Sequence, residues 1–225
     1  MCARDTRPTY ISRTDMDRLR TTLFKAAVIV LSGAFIGVVV IGFQYFSDDP
    51  TLTRFVREYD AASPDHQEQI AQRYMEAVPV QDLLQAVEKK YSASVCHTEA
   101  HPIGRALYRK ESNFTEAIRK CGGSCSYGCF HGVLMEMFST DSDTLGGVID
   151  EETPEAYLSR VQAEAKDLCT KPEVESVVRS RYCYHGLGHV FASLSGADLK
   201  GAVDACSIFA DHYVAAACRT GAFME

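Results

Sequence analysis

With 225 residues, 46% of them hydrophobic and 24% charged, the chain has room for a membrane segment and one compact domain with its own core, and its composition is not that of a disordered protein. The net charge is −7. Residues 1–25 carry six Arg/Lys against three Asp, which leaves 17 basic against 27 acidic residues downstream, or −10, and so excludes nucleic acid as a partner of the downstream part.

In chain order, residues 1–25 form an Arg-rich polar segment, and Ala26 to Ser47 then run for 22 residues without a charge. At 1.5 Å per residue that is enough to cross a hydrocarbon core of roughly 30 Å. Arg13, Arg18, Arg20 and Lys25 precede the run and Asp48 and Asp49 follow it. The positive-inside rule therefore predicts a cytoplasmic N-terminal segment (1–25), a single-pass transmembrane anchor (26–47) and an extracytoplasmic domain (48–225), periplasmic in a Gram-negative cell. The apolar run is longer than a signal-peptide core and no small-x-small cleavage site follows it, which favours an uncleaved signal-anchor. Within it, Gly33-Ala34-Phe35-Ile36-Gly37 is a G-x-x-x-G that would let two such helices approach closely, giving a homodimer through Gly33 and Gly37.

Beyond the anchor, the apolar spacing predicts helices over Thr51–Ala61, Ser63–Ala77 (Ser63 as N-cap, Pro64 at the first helical position) and Val80–Tyr91. Pro102 disfavours the helical region for His101, so one helix is expected to end there and another to run from Ile103 to Glu111. Asn113 and Glu116 resemble a capping box for a helix to Lys120, and Gly122-Gly123 ends it. A helix from Cys129 to about Phe138 follows, then a loop over Ser139–Asp150. Thr153-Pro154-Glu155 starts a helix through Cys169, and Lys171-Pro172 breaks it. The chain then passes through the Cys183 region, a helix capped at Gly196-Ala197-Asp198, and a last helix from Ala210 to Met224. No segment alternates as a strand would, so the fold class is all-α: a disulfide-stapled helical bundle or stack of helical hairpins.

Cys2 lies before the anchor, and the other eight cysteines, 96, 121, 125, 129, 169, 183, 206 and 218, lie after it. That partition predicts four disulfides in an oxidising compartment. The recurring cysteine frame favours Cys169–Cys183 and Cys206–Cys218 and leaves the other pairings open.

Around these cysteines one phrase recurs. Cys183-Tyr184-His185-Gly186-Leu187-Gly188-His189 is echoed by Cys129-Phe130-His131-Gly132, by Cys218-Arg219-Thr220-Gly221 without the His, and by Cys96-His97-Thr98-Glu99-Ala100-His101. Four variants suggest four copies of one structural unit, and counted from Cys129 and Cys218, Glu136 and Glu225 share one offset. His97 with His101 and His185 with His189 are i, i+4 pairs, a spacing that puts both imidazoles on one helix face within reach of one ion. The expected ligand set is His97, His101, His131, Glu136, His185 and His189, with Glu225 as a further carboxylate, and the donor chemistry suits zinc, iron, copper or manganese rather than calcium. Gly132, Gly186, Gly188 and Gly221 would let helices come close around such a centre.

Several chemistries are excluded. The zincin H-E-x-x-H is absent, since Glu99 stands midway between His97 and His101 and points away from them. Cys-x-x-Cys-His, the covalent haem motif, does not occur. Cys183 and His185 point about 200° apart on a helix and cannot act as nucleophile and base. His66 lies in a polar surface pattern, and His212 reads equally as ligand or surface residue. Three functions fit: a metal-dependent enzyme with an open coordination position, a metal-holding protein with a saturated one, or a disulfide-stabilised helical interaction module without metal that binds a partner protein.

Overall fold

The computed structural model describes residues 49–139, 153–196 and 198–224. The anchor, its Gly33/Gly37 motif and the N-terminal segment lie outside the described residues, as does nearly all of the Ser139–Asp150 loop. Among the described residues no helix is long and apolar enough to cross a membrane.

The described residues are all-helical, with no strand: α1 (Pro50–Asp60), α2 (Pro64–Tyr74), α3 (Val80–Lys90), α4 (Ala93–Glu111), α5 (Phe114–Cys121), α6 (Gly128–Met137), α7 (Pro154–Ala165), the single turn α8 (Pro172–Glu175), α9 (Ser180–Leu194), α10 (Leu199–Ala205) and α11 (His212–Ala222). Local signals set most of the boundaries. Asn113 accepts from the Glu116 amide to start α5, Thr153 accepts from Ala156 to start α7, and Asp198 and Asp211 cap α10 and α11. Ser63 occupies the N-cap of α2, but its hydroxyl is bonded to His66 Nδ1 rather than to the backbone.

Two boundaries differ from expectation. The helix opened by Pro154 ends at Ala165, and Cys169 sits in a separate 3-10 turn, Leu168–Thr170. The larger difference is that α4 runs unbroken through Pro102. A mid-helix proline removes one hydrogen bond and crowds the carbonyl four residues back, here Thr98, at a cost of about 3 kcal/mol. Tertiary fixation on both sides of Pro102 offsets that cost: Cys96 is tied to Cys125, and the backbones of His97, His101 and Gly104 all lie directly against α6.

The core is built from Phe55 and Tyr59 on α1, Leu83 and Leu84 on α3, Ile103 and Leu107 on α4, Phe130 and Leu134 on α6, and Leu187 and Phe191 on α9, all essentially inaccessible. Four disulfides staple it: Cys96–Cys125, Cys121–Cys129, Cys169–Cys183 and Cys206–Cys218. The last two are the pairs expected from the cysteine frame. The first two hold a turn in which Cys125, Ser126 and Tyr127 all have positive φ (52°, 52° and 68°), a conformation that L-residues other than Gly, Asn and Asp rarely adopt and that needs outside support. Four disulfides suggest an oxidising, extracytoplasmic environment.

The recurring phrase marks two clasped helix pairs rather than four copies of a unit. On α4 and α6, a Cβ on Gly104 would come within 2.0 Å of the Cys129 carbonyl oxygen and one on Gly132 within 2.1 Å of the His101 oxygen. On α9 and α11, Gly188 stands against the Cys218 oxygen and Gly221 against the His185 oxygen, both at 1.9 Å for the added Cβ. In each pair a residue and the glycine three positions on meet their counterparts in reverse order, which is an antiparallel crossing with Cα–H groups aimed at carbonyls. Cβ atoms cannot enter such a crossing, so Gly132→Ala and Gly221→Ala are each expected to push a helix pair apart and cost about 1–3 kcal/mol or more. A chemical-denaturation midpoint unchanged from wild type would contradict the clasp.

Candidate metal centre

The clasps carry the histidines to one place. His97 and His101 come from α4, His131 from α6, and His185 and His189 from α9, so both helix pairs contribute. His97, His131, His185 and His189 each turn one ring nitrogen inward, and these four atoms lie within 4.8 Å of one another. His131 Nδ1 is 3.2 Å from His97 Nε2, His97 Nε2 is 3.5 Å from His189 Nε2, and His189 Nε2 is 3.2 Å from His185 Nε2. Metal–nitrogen bonds of about 2.0–2.1 Å in a tetrahedron put ligand nitrogens about 3.3–3.4 Å apart. The three separations bracket that edge length, and small ring rotations would close the wider gaps in the group.

The outer hydrogen bonds determine which nitrogen is the lone-pair donor. His131 Nε2 lies 2.8 Å from the Tyr182 carbonyl, which can only accept, so the proton is on Nε2 and Nδ1 faces inward bare. At His185 the reasoning takes one more step. The Thr220 hydroxyl donates to the Ala217 carbonyl at 2.6 Å, so His185 Nδ1, 3.0 Å from that hydroxyl, must be the donor to it, and His185 Nε2 is bare as well. Without an ion, Nε2–H groups of His97 and His189 can satisfy these two lone pairs at 3.2 Å each. With a cation at the centre, all four inward nitrogens would turn lone pairs to it instead.

Burial enforces the same protonation state. Loss of water, and then the neighbouring imidazoles, hold the pKa of His101 and of His131 well below the ordinary histidine range, and burial pushes His185 down to about 4. Arg105 and Arg181 add in the same direction at His101 and His185 respectively. An unfolded imidazole takes up its proton near pH 6.5, whereas these folded ones resist until lower pH. The unfolded state therefore binds more protons below about pH 6.5, and metal-free protein is expected to lose stability as pH falls from there towards 4. Urea midpoints that stay level across that interval would contradict a cluster of buried neutral imidazoles.

The other expected ligands are placed elsewhere. His101 is 5% exposed and packs its ring edge-on, 4.8 Å from His189 and 5.1 Å from His97 between centroids, but it is not one of the four convergent donors. Glu136 is fully buried and its two oxygens are held by the Arg109 fork at 2.6 and 3.2 Å; Arg109 reaches on to Glu68, and Glu68 to Arg105. Five residues along a helix turn a side chain about 140° from its starting direction, so Glu136 cannot share a face with His131. Among the described residues the convergent group contains no carboxylate. Glu99 points away as expected, accepting from Gln67. His66 and His212 are exposed surface residues, and the position of Glu225 lies outside the described residues.

Sequence reasoning gave Gly132, Gly186, Gly188 and Gly221 only a general packing role and missed Gly104 and Thr220. A Cβ on Gly186 would strike the His131 ring at 2.6 Å, so this glycine makes room for an imidazole, not for a helix. Thr220 fills, in Cys218-Arg219-Thr220-Gly221, the place that His131 fills in Cys129-Phe130-His131-Gly132. The missing His of the echo is a hydroxyl that orients another His. The fold and site define a disulfide-rich helical domain with a four-histidine cluster that could hold a metal. No known protein family matches the chain, and neither a curated protein nor a solved structure is significantly similar to it.

Proposed function

We propose that the domain holds one transition-metal ion through His97 Nε2, His131 Nδ1, His185 Nε2 and His189 Nε2, as a metal-binding rather than a hydrolytic module on the outer side of a membrane to which Ala26–Ser47 tether it. The observation that carries this reading is the inward convergence of four ring nitrogens, two of which the Tyr182 carbonyl and the Thr220–Ala217 relay leave bare. Such outer hydrogen bonds are the usual means of fixing the tautomer and direction of a metal-binding imidazole. Four neutral nitrogens within 4.8 Å of one another, with three separations of 3.2–3.5 Å, favour zinc, with copper and iron next in the same donor class. A saturated ligand set, with Glu136 engaged by Arg109, leaves no base beside an open position, which is why hydrolysis is the weaker reading.

The test is elemental analysis of protein purified without chelator or polyhistidine tag, followed by titration of the metal-free form. One zinc, copper or iron per chain is the expected result. Less than a tenth of an equivalent, with no binding of any of the three on titration, would overturn the reading in favour of a metal-free interaction module.

A further inference from the structure

A polar cavity of about 370 Å³ lies between α2, α4 and the last turns of α6 and α9, and none of the four convergent histidines lines it. Arg105, Met135 and Ser193 on its wall stand four residues after His101, His131 and His189, so it sits one helical turn along from the cluster on three helices at once. That volume is in the lower range of those that hold small molecules.

The floor of the cavity is an ionic network. Glu136 gives both oxygens to the Arg109 fork, and Glu68 gives one oxygen to Arg109 at 2.8 Å and the other to Arg105 at 3.1 Å. Two carboxylates and two guanidinium groups offset one another there, yet each sign keeps one group uncommitted. Arg105 is engaged through Nε, and among the described residues no protein group bonds its two terminal amino groups. Asp65 is exposed on the cavity wall and pairs with no cation among the described residues. It precedes Glu68 by three residues on α2, a spacing that sets the two side by side on one face. The uncommitted cation and the uncommitted anion therefore flank one carboxylate.

The lining rules out most ligand classes. A lone anion would face three carboxylates, a lone cation would face two guanidinium groups, and an apolar molecule would find only Met135 and Leu194. A small molecule that carries one charge of each sign meets none of these objections. The carbonyl ends of α6 and α9 border the cavity and add partial negative charge, which favours an ammonium group beside them.

We infer that this cavity binds a small α-amino acid, with its carboxylate on the terminal amino groups of Arg105 and its ammonium on Asp65. A guanidinium edge receives a carboxylate through two parallel hydrogen bonds, which fixes the orientation of the ligand. The remaining wall offers the amides of Gln69 and Gln72 and the Ser193 hydroxyl, so a polar side chain is preferred. This binding is non-covalent and uses no metal, so it goes beyond the four-histidine reading without depending on it.

The test is a thermal-shift screen of the full chain, solubilised in detergent, with each common L-amino acid. The tightest is then titrated calorimetrically beside its decarboxylated and its deaminated form. A polar amino acid is expected to bind, and Asp65→Asn and Arg105→Gln are each expected to weaken it about ten- to a hundredfold, the range for hydrogen bonds to a charged group. Both truncated forms should lose at least as much. Asp65→Asn changes an exposed carboxylate that no protein cation uses, so it keeps the test decisive even where Arg105→Gln loosens Glu68. No shift from any amino acid at millimolar concentration would overturn the inference, as would wild-type affinity in Asp65→Asn or a truncated form that binds as tightly as its parent. Metal content does not enter the readout, so failure here leaves the four-histidine reading standing.

Discussion

Replacing His97 and His185 together by alanine is expected to abolish stoichiometric metal while leaving the helix content of the domain in place. The pair takes one ligand from each clasped helix pair, so two donors remain, His131 and His189. Structural zinc sites of four ligands are worth about 10–16 kcal/mol, or about 2.5–4 kcal/mol per ligand if shared evenly. Two deletions then lower affinity by a factor on the order of 10⁴–10⁶. The fold should survive, because both clasps and all four disulfides are untouched and neither substitution leaves an unpaired buried charge. His101→Ala is the informative partner experiment. Its ring packs against the site without belonging to the convergent four, so it should keep one metal per chain with a weaker hold. Wild-type metal content in the His97→Ala/His185→Ala protein would sink the site, and complete metal loss in His101→Ala would show that the ligand set has been drawn wrongly.

Much of the fold was legible in the chain because it is written in local chemistry. Caps at Asn113, Thr153 and Asp198 mark helix starts, the absence of alternating β-branched runs excludes strands, and the cysteine frame pairs Cys169 with Cys183 and Cys206 with Cys218. Pro102 misled because its effect is local and the forces that override it are not: a disulfide to Cys125 and the backbone contact with α6 are both long-range. The site divides along the same line. Spacing and the recurring phrase put His97, His131, His185 and His189 in the expected set, since i, i+4 pairs share a face whatever the fold and His131 stands in the echo of the Cys183 phrase. They could not separate these four from His101 and Glu136, because that choice depends on where the two helix pairs cross. His101 lies on the correct helix and face but behind its neighbours, and Glu136 is directed by its position on α6 into an ionic network with Arg109, Glu68 and Arg105.

The echoes are also better explained by the crossings than by repetition. A glycine three residues after His101, Cys129, His185 and Cys218 is what two antiparallel crossings demand, and it needs no ancestral unit. The same crossings bring the histidines together, because the carbonyls against which Gly132 and Gly221 rest belong to His101 and His185 themselves. Packing and site are therefore coupled: a substitution that opens either clasp displaces the backbone of a histidine in the cluster.

Complete reduction of the metal-free domain is expected to unfold it, and bound metal should oppose that outcome. The four bridges span 29, 8, 14 and 12 residues. In the chain-entropy model loops of those lengths are worth about 2.5–3.6 kcal/mol each. The Cys96–Cys125 and Cys121–Cys129 loops overlap, so their contributions do not add in full, and the set amounts to on the order of 10 kcal/mol against a typical total stability of about 5–15 kcal/mol. Reduction also removes the support for three consecutive left-handed residues at Cys125, Ser126 and Tyr127, which then relax and release the start of α6, the helix that carries His131. Metal at 1,000 times its dissociation constant stabilises the native state by about 4 kcal/mol, because the unfolded chain does not preassemble the site. A phosphine reductant, which competes for metal less than a dithiol does, should therefore convert the metal-free protein to an unfolded, eight-thiol form while the loaded protein retains native helix signal at the same reductant concentration. Circular dichroism read beside alkylation mass on the same samples decides the matter. A fully reduced, metal-free domain that still unfolds cooperatively would remove the disulfides from their structural role, and identical reduction curves with and without metal would break the link between the cluster and the clasped helices.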